Sequence, residues 1–202
     1  HRRRHSFPTR RSSDLTDYIA RLKQQRAAEQ TKHQTAPDTI RHHIQTTIDH
    51  LNRLIATVQN ELKDFYRQNP AYNEKKNRLK TIDGIGESAA SALLAKLTRY
   101  DFANQNQFAA YLGLDPKIKD SGTSVKGKSR ISKQGQKNAR KALYMPALVA
   151  YRMNAFPAFT ARLKARGKPP KLIIVAIMRK LAVIAYQLYK TGKDYDRSRY
   201  RN

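Results

Sequence analysis

PDTIRHHIQTTIDHLNRLIATVQNELKDF, residues 37–65, is the stretch whose reading decides the fold. Ile40, Ile44, Ile48, Leu51, Ile55, Val58, Leu62 and Phe65 recur in it at steps of three or four, the spacing that lines one face of an α-helix. The stripe is narrow, of the coiled-coil type, and Asn69-Pro70 ends it. Just upstream, Thr35-Ala36-Pro37-Asp38 reads as a helix start, with Thr as the N-cap, Pro in the first turn and an acid beside it. Such a stripe must be buried against another helix. Residues 16–34, polar with Ile19 and Leu22 as their main apolar positions, can fold back as an antiparallel partner. Alternatively a second protomer supplies the partner, which makes a homo-oligomer through the coiled coil an expected assembly.

Downstream the pattern becomes that of a compact helical domain over residues 75–190. Residues 89–97 are apolar and Ala-rich, 102–114 carry Phe108, Tyr111 and Leu112, and 137–151 carry Leu143, Met145 and Leu148. Residues 170–190 are apolar on nearly all sides, which places that helix at the centre of the core. Glycines and prolines, among them Gly84, Gly86, Gly113, Pro116, Gly135, Pro157 and Gly167, punctuate these segments. A short hairpin near residues 121–131 is the only strand candidate. The expected fold is mainly α. It comprises coiled-coil linker helices over 16–70, the compact domain over 75–190, and a charged tail over 191–202 that is expected to fray from Asp194.

The first fifteen residues, HRRRHSFPTRRSSDL, fit neither pattern. Their basic composition suits a disordered arm. More specifically, SFPTRRSSDL at 6–15 resembles a translated sequencing-adapter oligonucleotide, so 1–15 are expected to be a disordered assembly artefact, with the natural chain extending upstream.

The whole sequence has 202 residues and a formal charge of +26, from 41 Lys and Arg against 15 Asp and Glu. A field of that size favours a polyanion as partner. Without the first fifteen residues the charge is still +22, since five Arg and one Asp are removed. There is no cysteine, which excludes disulfides and thiolate metal sites. The longest uninterrupted apolar run, 172–178, is far short of the roughly twenty residues that span a bilayer. A soluble protein of the cytosol, with no membrane partner, is the expectation.

Two segments can carry chemistry. IDGIGESAASALL, residues 82–94, resembles a helix-hairpin-helix signature, with Ala90, Leu93 and Leu94 in the apolar positions after the turn. Gly84, Ile85 and Gly86 would let the backbone approach a phosphate at a helix N-terminus. Asp83 and Glu87 weaken the local positive potential, and a plain Gly turn between packed helices is the alternative. The second is KIKDSGTSVKGKSRISKQGQKNARKA, residues 117–142. It carries Lys117, Lys119, Lys126, Lys128, Arg130, Lys133, Lys137, Arg140 and Lys141 against one acid, Asp120, with serines and glycines interleaved. Salt-dependent contact with nucleic-acid phosphates is its natural use, and a solvated basic loop the alternative.

Several spaced blocks then fall in one order: FAAYLGLDP at 108–116, Asp120-Ser121-Gly122, Lys126-Gly127, RISKQG at 130–135, RKAL at 140–143 and RGKP at 166–169, all after the Gly-Ile-Gly turn. Together they resemble the C-terminal domain of Piv/MooV-type insertion-sequence transposases over roughly residues 75–190. The resemblance implies a mobile-element enzyme of DNA transposition and recombination. It implies a RuvC-like N-terminal domain whose four acids bind Mg²⁺, a serine nucleophile corresponding to Ser121, and a guide RNA pairing with DNA. Ser124 and Ser129 are the fallback nucleophiles, and Lys126, Lys128 and Arg130 the candidates for stabilising phosphoryl charge. Residues 16–202 contain no four-acid pattern, and His33, His42, His43 and His50 form no ligand grouping. This chain is therefore expected to hold no cofactor of its own and to be inactive alone. A non-catalytic helix-hairpin-helix module on DNA or RNA is the competing reading.

Overall fold

The computed structural model describes residues 7–117, 120–121, 125–126, 130–132, 134–135 and 137–201. They are helical almost throughout, the mainly α fold read from the sequence. The chain divides into two compact units between Asn73 and Glu74.

The first unit is a helical hairpin of α1 (Phe7–Thr35) and α2 (Asp38–Gln68), followed by the start of α3 (Pro70–Lys80). The stripe of α2 is buried from Ile48 through Phe65, whereas Ile40 remains 48% exposed near the hairpin bend. Each fully buried side chain of this kind stabilises the unit by about 1.5–3 kcal/mol. The partner is α1, which contributes Ile19 and Leu22. The two helices run antiparallel, with Arg26 donating to Asn52 Oδ1 at 3.1 Å and Ser12 hydrogen-bonded to the Tyr72 hydroxyl at 2.7 Å. The fold-back alternative is the one this chain adopts.

Two expectations are corrected here. Thr35 does not cap α2; it is the last residue of α1, and its hydroxyl donates back to the Lys32 carbonyl. Pro37 stands at the N-cap of α2, and its ring, which carries no hydrogen-bonding group, makes no side-chain cap bond. Residues 7–15, expected to be disordered, form the first turns of α1, with Ser12 and Ser13 buried. Extending an existing helix gains a hydrogen bond for each residue ordered, and small serines suit a close helix contact. Residues 1–6 lie outside the described residues.

The second unit is built round α8 (Pro170–Thr191), which packs against α4 (Glu87–Arg99), α5 (Gln105–Tyr111), α6 (Lys137–Arg152) and α7 (Pro157–Ala165). Ile173, Ile177, Leu181, Ala182 and Ala185 of α8 meet a core that includes Leu93, Leu94, Phe108, Leu143 and Phe156. In length and composition α8 would suffice to cross a bilayer, a property the shorter run at 172–178 did not reveal. Here its apolar residues form the protein core. Arg179, halfway along it, donates to the Leu114 carbonyl and to Asn106 Oδ1. Gly192, with φ of 68°, ends the helix in the left-handed conformation typical of a C-terminal glycine.

The tail does not fray from Asp194. Residues 195–201, including the short α9 (Ser198–Arg201), fold back onto the unit. Arg197 binds both Asp83 oxygens, and the Tyr200 ring stacks on Tyr195 and meets Phe156 edge-on. Lys180 Nζ sits over the rings of Phe156, Phe159 and Tyr200 at 4.9–5.3 Å. Aromatic side chains distributed among charges allow this segment to dock.

Candidate nucleic-acid interface

The glycine-bearing turn joins α3 to α4. Ile82 and Ile85 are buried and hold it down, while Gly86, Glu87 and Ser88 are exposed at the start of α4. Gly84 has φ of 87°, and a Cβ there would lie 2.4 Å from the Pro146 carbonyl oxygen of α6. Its lack of a side chain therefore serves helix packing. Gly86 differs, with nothing within 4 Å of a Cβ position. The two acids beside the turn are both engaged by cations. Asp83, almost wholly buried, is clasped by Arg197, and Glu87 accepts from Lys76 and Lys80 at 2.5 and 2.6 Å. Burial raises the Glu87 carboxyl's pKa, but these two lysines outweigh it and hold it below the ordinary carboxylate value.

The described residues of the basic segment form two short antiparallel ladders, together a ribbon. In the outer one, β1 (Pro116–Lys117) pairs with β4 (Arg130–Ile131), setting Lys117 opposite Arg130. In the inner one, β2 (Asp120–Ser121) pairs with β3 (Val125–Lys126), setting Asp120 opposite Lys126 and Ser121 opposite Val125. The registers differ by one, so between the ladders the return strand has one more residue than the outgoing strand. Ser121 occupies the last described pair of the outgoing strand, immediately before Gly122-Thr123-Ser124 in sequence.

The base of the ribbon is clamped. Ser132 donates through its backbone N–H to the Asp115 carbonyl and through its hydroxyl to the Asp115 carboxylate. Arg140 from α6 donates to the Leu112 carbonyl at 3.1 Å, and Arg179 from α8 to the Leu114 carbonyl at 3.3 Å. Gly135 completes the seat, for a Cβ there would lie 2.3 Å from the Tyr111 carbonyl oxygen. Arg140, a nucleic-acid candidate by sequence, thus uses part of its guanidinium to position the ribbon. Lys137 opens α6, and Pro146, against which Gly84 packs, lies nine residues further on. At 1.5 Å per residue, roughly 14 Å of one helix axis separates the ribbon's exit from the glycine turn.

Lys119, Lys128 and Lys133, and the fallback serines Ser124 and Ser129, lie outside the described residues. Sequence reasoning missed Arg179, Ser132 and Arg197 as positioning residues. Each binds a partner between 17 and 114 positions away, for which a single sequence carries no local signal. Among the described residues no three His, Cys, Asp or Glu side chains are grouped to hold a metal ion.

Residues 76–164, which include the turn, the ribbon and all of its clamp but Arg179, match the family model of the IS116/IS110/IS902 transposases. Over that stretch the chain is similar to this insertion-sequence transposase family. The pilin gene-inverting proteins of Moraxella bovis and Moraxella lacunata are each 32% identical to it over 178 residues, covering 87% of this chain and 55% of theirs. A putative transposase of Sinorhizobium fredii is 34% identical over 150 residues, covering 70% of this chain and 37% of its own length. The chain thus spans about half the length of the pilin gene-inverting relatives.

Proposed function

We propose that this chain is the DNA-handling part of a recombinase that moves or inverts DNA, and that Ser121 is its nucleophile. The observation that carries the reading is the position of Ser121 at the last described pair of a basic ribbon whose base is fixed by Arg140, Arg179 and Ser132. It lies inside the segment that matches a transposase family. In this reaction the serine oxygen attacks phosphorus, the bond to the leaving sugar oxygen breaks, and the protein holds the DNA end covalently. Lys126, Lys128 and Arg130 stabilise charge on the phosphoryl oxygens, while Lys117, Lys119, Lys133 and Lys137 neutralise neighbouring phosphates. The exposed start of α4, at Gly86 and Ser88, is a further backbone contact of the helix-hairpin-helix kind.

DNA and a guide RNA are the partners, in the cytosol or nucleoid. The reaction's Mg²⁺ belongs to chain outside these residues, so residues 1–202 alone bind DNA without cutting it. The test uses the full-length protein from the same locus. Ser121→Ala should abolish strand joining and the covalent adduct while DNA affinity stays within about twofold. Arg130→Glu should weaken binding itself. Full recombination by Ser121→Ala would remove the nucleophile assignment and leave the chain as a non-catalytic binding module.

A further inference from the structure

Between Asp120 and Asp194 the sequence runs for 73 residues with 17 Lys or Arg and no Asp or Glu. Five of these cations fall within ten positions at the corner where α7 ends and α8 begins. Arg162, Lys164, Arg166, Lys168 and Lys171 are all exposed, and none forms an ion pair with a described residue.

Folding accounts for only part of this cluster. Arg162 and Lys164 lie in the last turn of α7, where the helix dipole favours cations. Lys168 and Lys171 lie at the opposite kind of end, flanking the positive N-terminus of α8, whose first turn contains no acid. There the dipole disfavours them. The crowding reaches Lys180, whose pKa is lowered by burial and then by the nearby Arg162. Arg162 and Lys164 also rest over the Phe159 and Tyr151 rings, whereas the helix dipole opposes Lys168 and Lys171, and a polyanion would relieve the repulsion. The corner is also open and stiff. Gly167 has no neighbour within 4 Å of a Cβ position, and Pro169 and Pro170 fix the chain direction.

We infer that the α7–α8 corner is a second contact for the phosphate backbone of double-stranded nucleic acid, separate from the ribbon and indifferent to sequence. The five cations, rather than the free N–H groups of α8, make the site. Lys171 lies eight residues before Arg179, which holds the ribbon's base. That is about 12 Å along α8, well inside one turn of B-DNA at roughly 34 Å, so one duplex can engage both. A lipid surface fits less well. Apart from Leu172, the exposed positions at this corner are polar, charged, small or proline, and the cations lie end-on around a bend instead of along one face of an amphipathic helix.

The test uses the whole 202-residue chain and a fluorescent DNA duplex of arbitrary sequence, titrated across a KCl series. The double variant Arg166→Ala/Lys168→Ala should melt at the parent temperature and lower the slope of log K against log salt by about 1–2. Affinity at the lowest salt should fall about tenfold, and Lys171→Gln should give a smaller change in the same direction. Lys126→Ala/Arg130→Ala reports separately on the ribbon. If only the ribbon pair lowers the slope, the corner assignment is overturned and the ribbon reading stands. If only the corner pair lowers it, the corner stands and the ribbon reading fails. Flotation with phosphatidylcholine–phosphatidylserine vesicles completes the test. Vesicle binding that survives excess DNA and is lost in the corner variant would reassign the surface to lipid.

Discussion

A Cβ at Gly84 would lie 2.4 Å from the Pro146 carbonyl oxygen; at Gly86, two residues later in the same turn, it would meet nothing within 4 Å. In the sequence the two look like equal members of a Gly-Ile-Gly motif. In the structure one is a packing residue that lets the turn settle on α6, and the other is an open position at the head of α4. The ribbon repeats the first case, with Gly135 pressed against the end of α5. A glycine motif therefore combines two demands, and only the neighbours reveal which one a given position meets. The charged residues divide similarly. Arg140 and Arg179 turn inward to backbone carbonyls, while the cations of the α7–α8 corner stay in solvent.

The largest expected effect tests that comparison directly. Gly84→Ala must combine a left-handed backbone with a backbone clash, and should destabilise the protein by about 2–4 kcal/mol. Gly86→Ala, at φ of −91°, should change stability by less than about 1 kcal/mol. Chemical denaturation of both measures the contrast, and equal losses would erase it.

Next in size is the clasp behind the same turn. Arg197→Ala leaves the buried Asp83 carboxylate without its guanidinium and should lower stability measurably. Asp83→Asn/Arg197→Ala should recover part of that loss. Non-additivity in this double-mutant cycle would show that the tail fixes the turn, and strict additivity would show that it does not.

The smallest effect is read at high pH. Burial and then the Asp83 carboxylate push the Tyr195 hydroxyl up to about 12, and Tyr200 shifts in the same direction, mainly through burial. The unfolded tyrosine ionises near its ordinary value of about 10, so the unfolded state loses its proton first. The stability contributed by neutral Tyr195 is full below pH 10 and is lost as pH rises to about 12. The hydroxyl oxygen is buried while the residue as a whole stays partly exposed, so screening reduces this to about 1 kcal/mol or less. Tyr195→Phe should flatten that part of the alkaline stability profile; an unchanged profile would count against Tyr195 as the source.

The sequence by itself determined what local order can encode. The step of three or four from Ile48 to Phe65 marks α2, Asn69-Pro70 marks its end, and the apolar residues of 170–190 mark the core helix. The same holds for the basic block that becomes the ribbon and for the glycine turn before α4. These features rest on backbone geometry and side-chain periodicity among near neighbours, which one sequence contains in full. Only the tertiary structure decided that residues 7–15 continue α1, that the tail closes on Asp83, and that Gly84 packs while Gly86 stays open. Those outcomes depend on partners far along the chain, Tyr72 for Ser12, Arg197 for Asp83 and Pro146 for Gly84. Residue type and spacing restrict such partnerships, but the folded chain has to bring the two ends together before one of them forms.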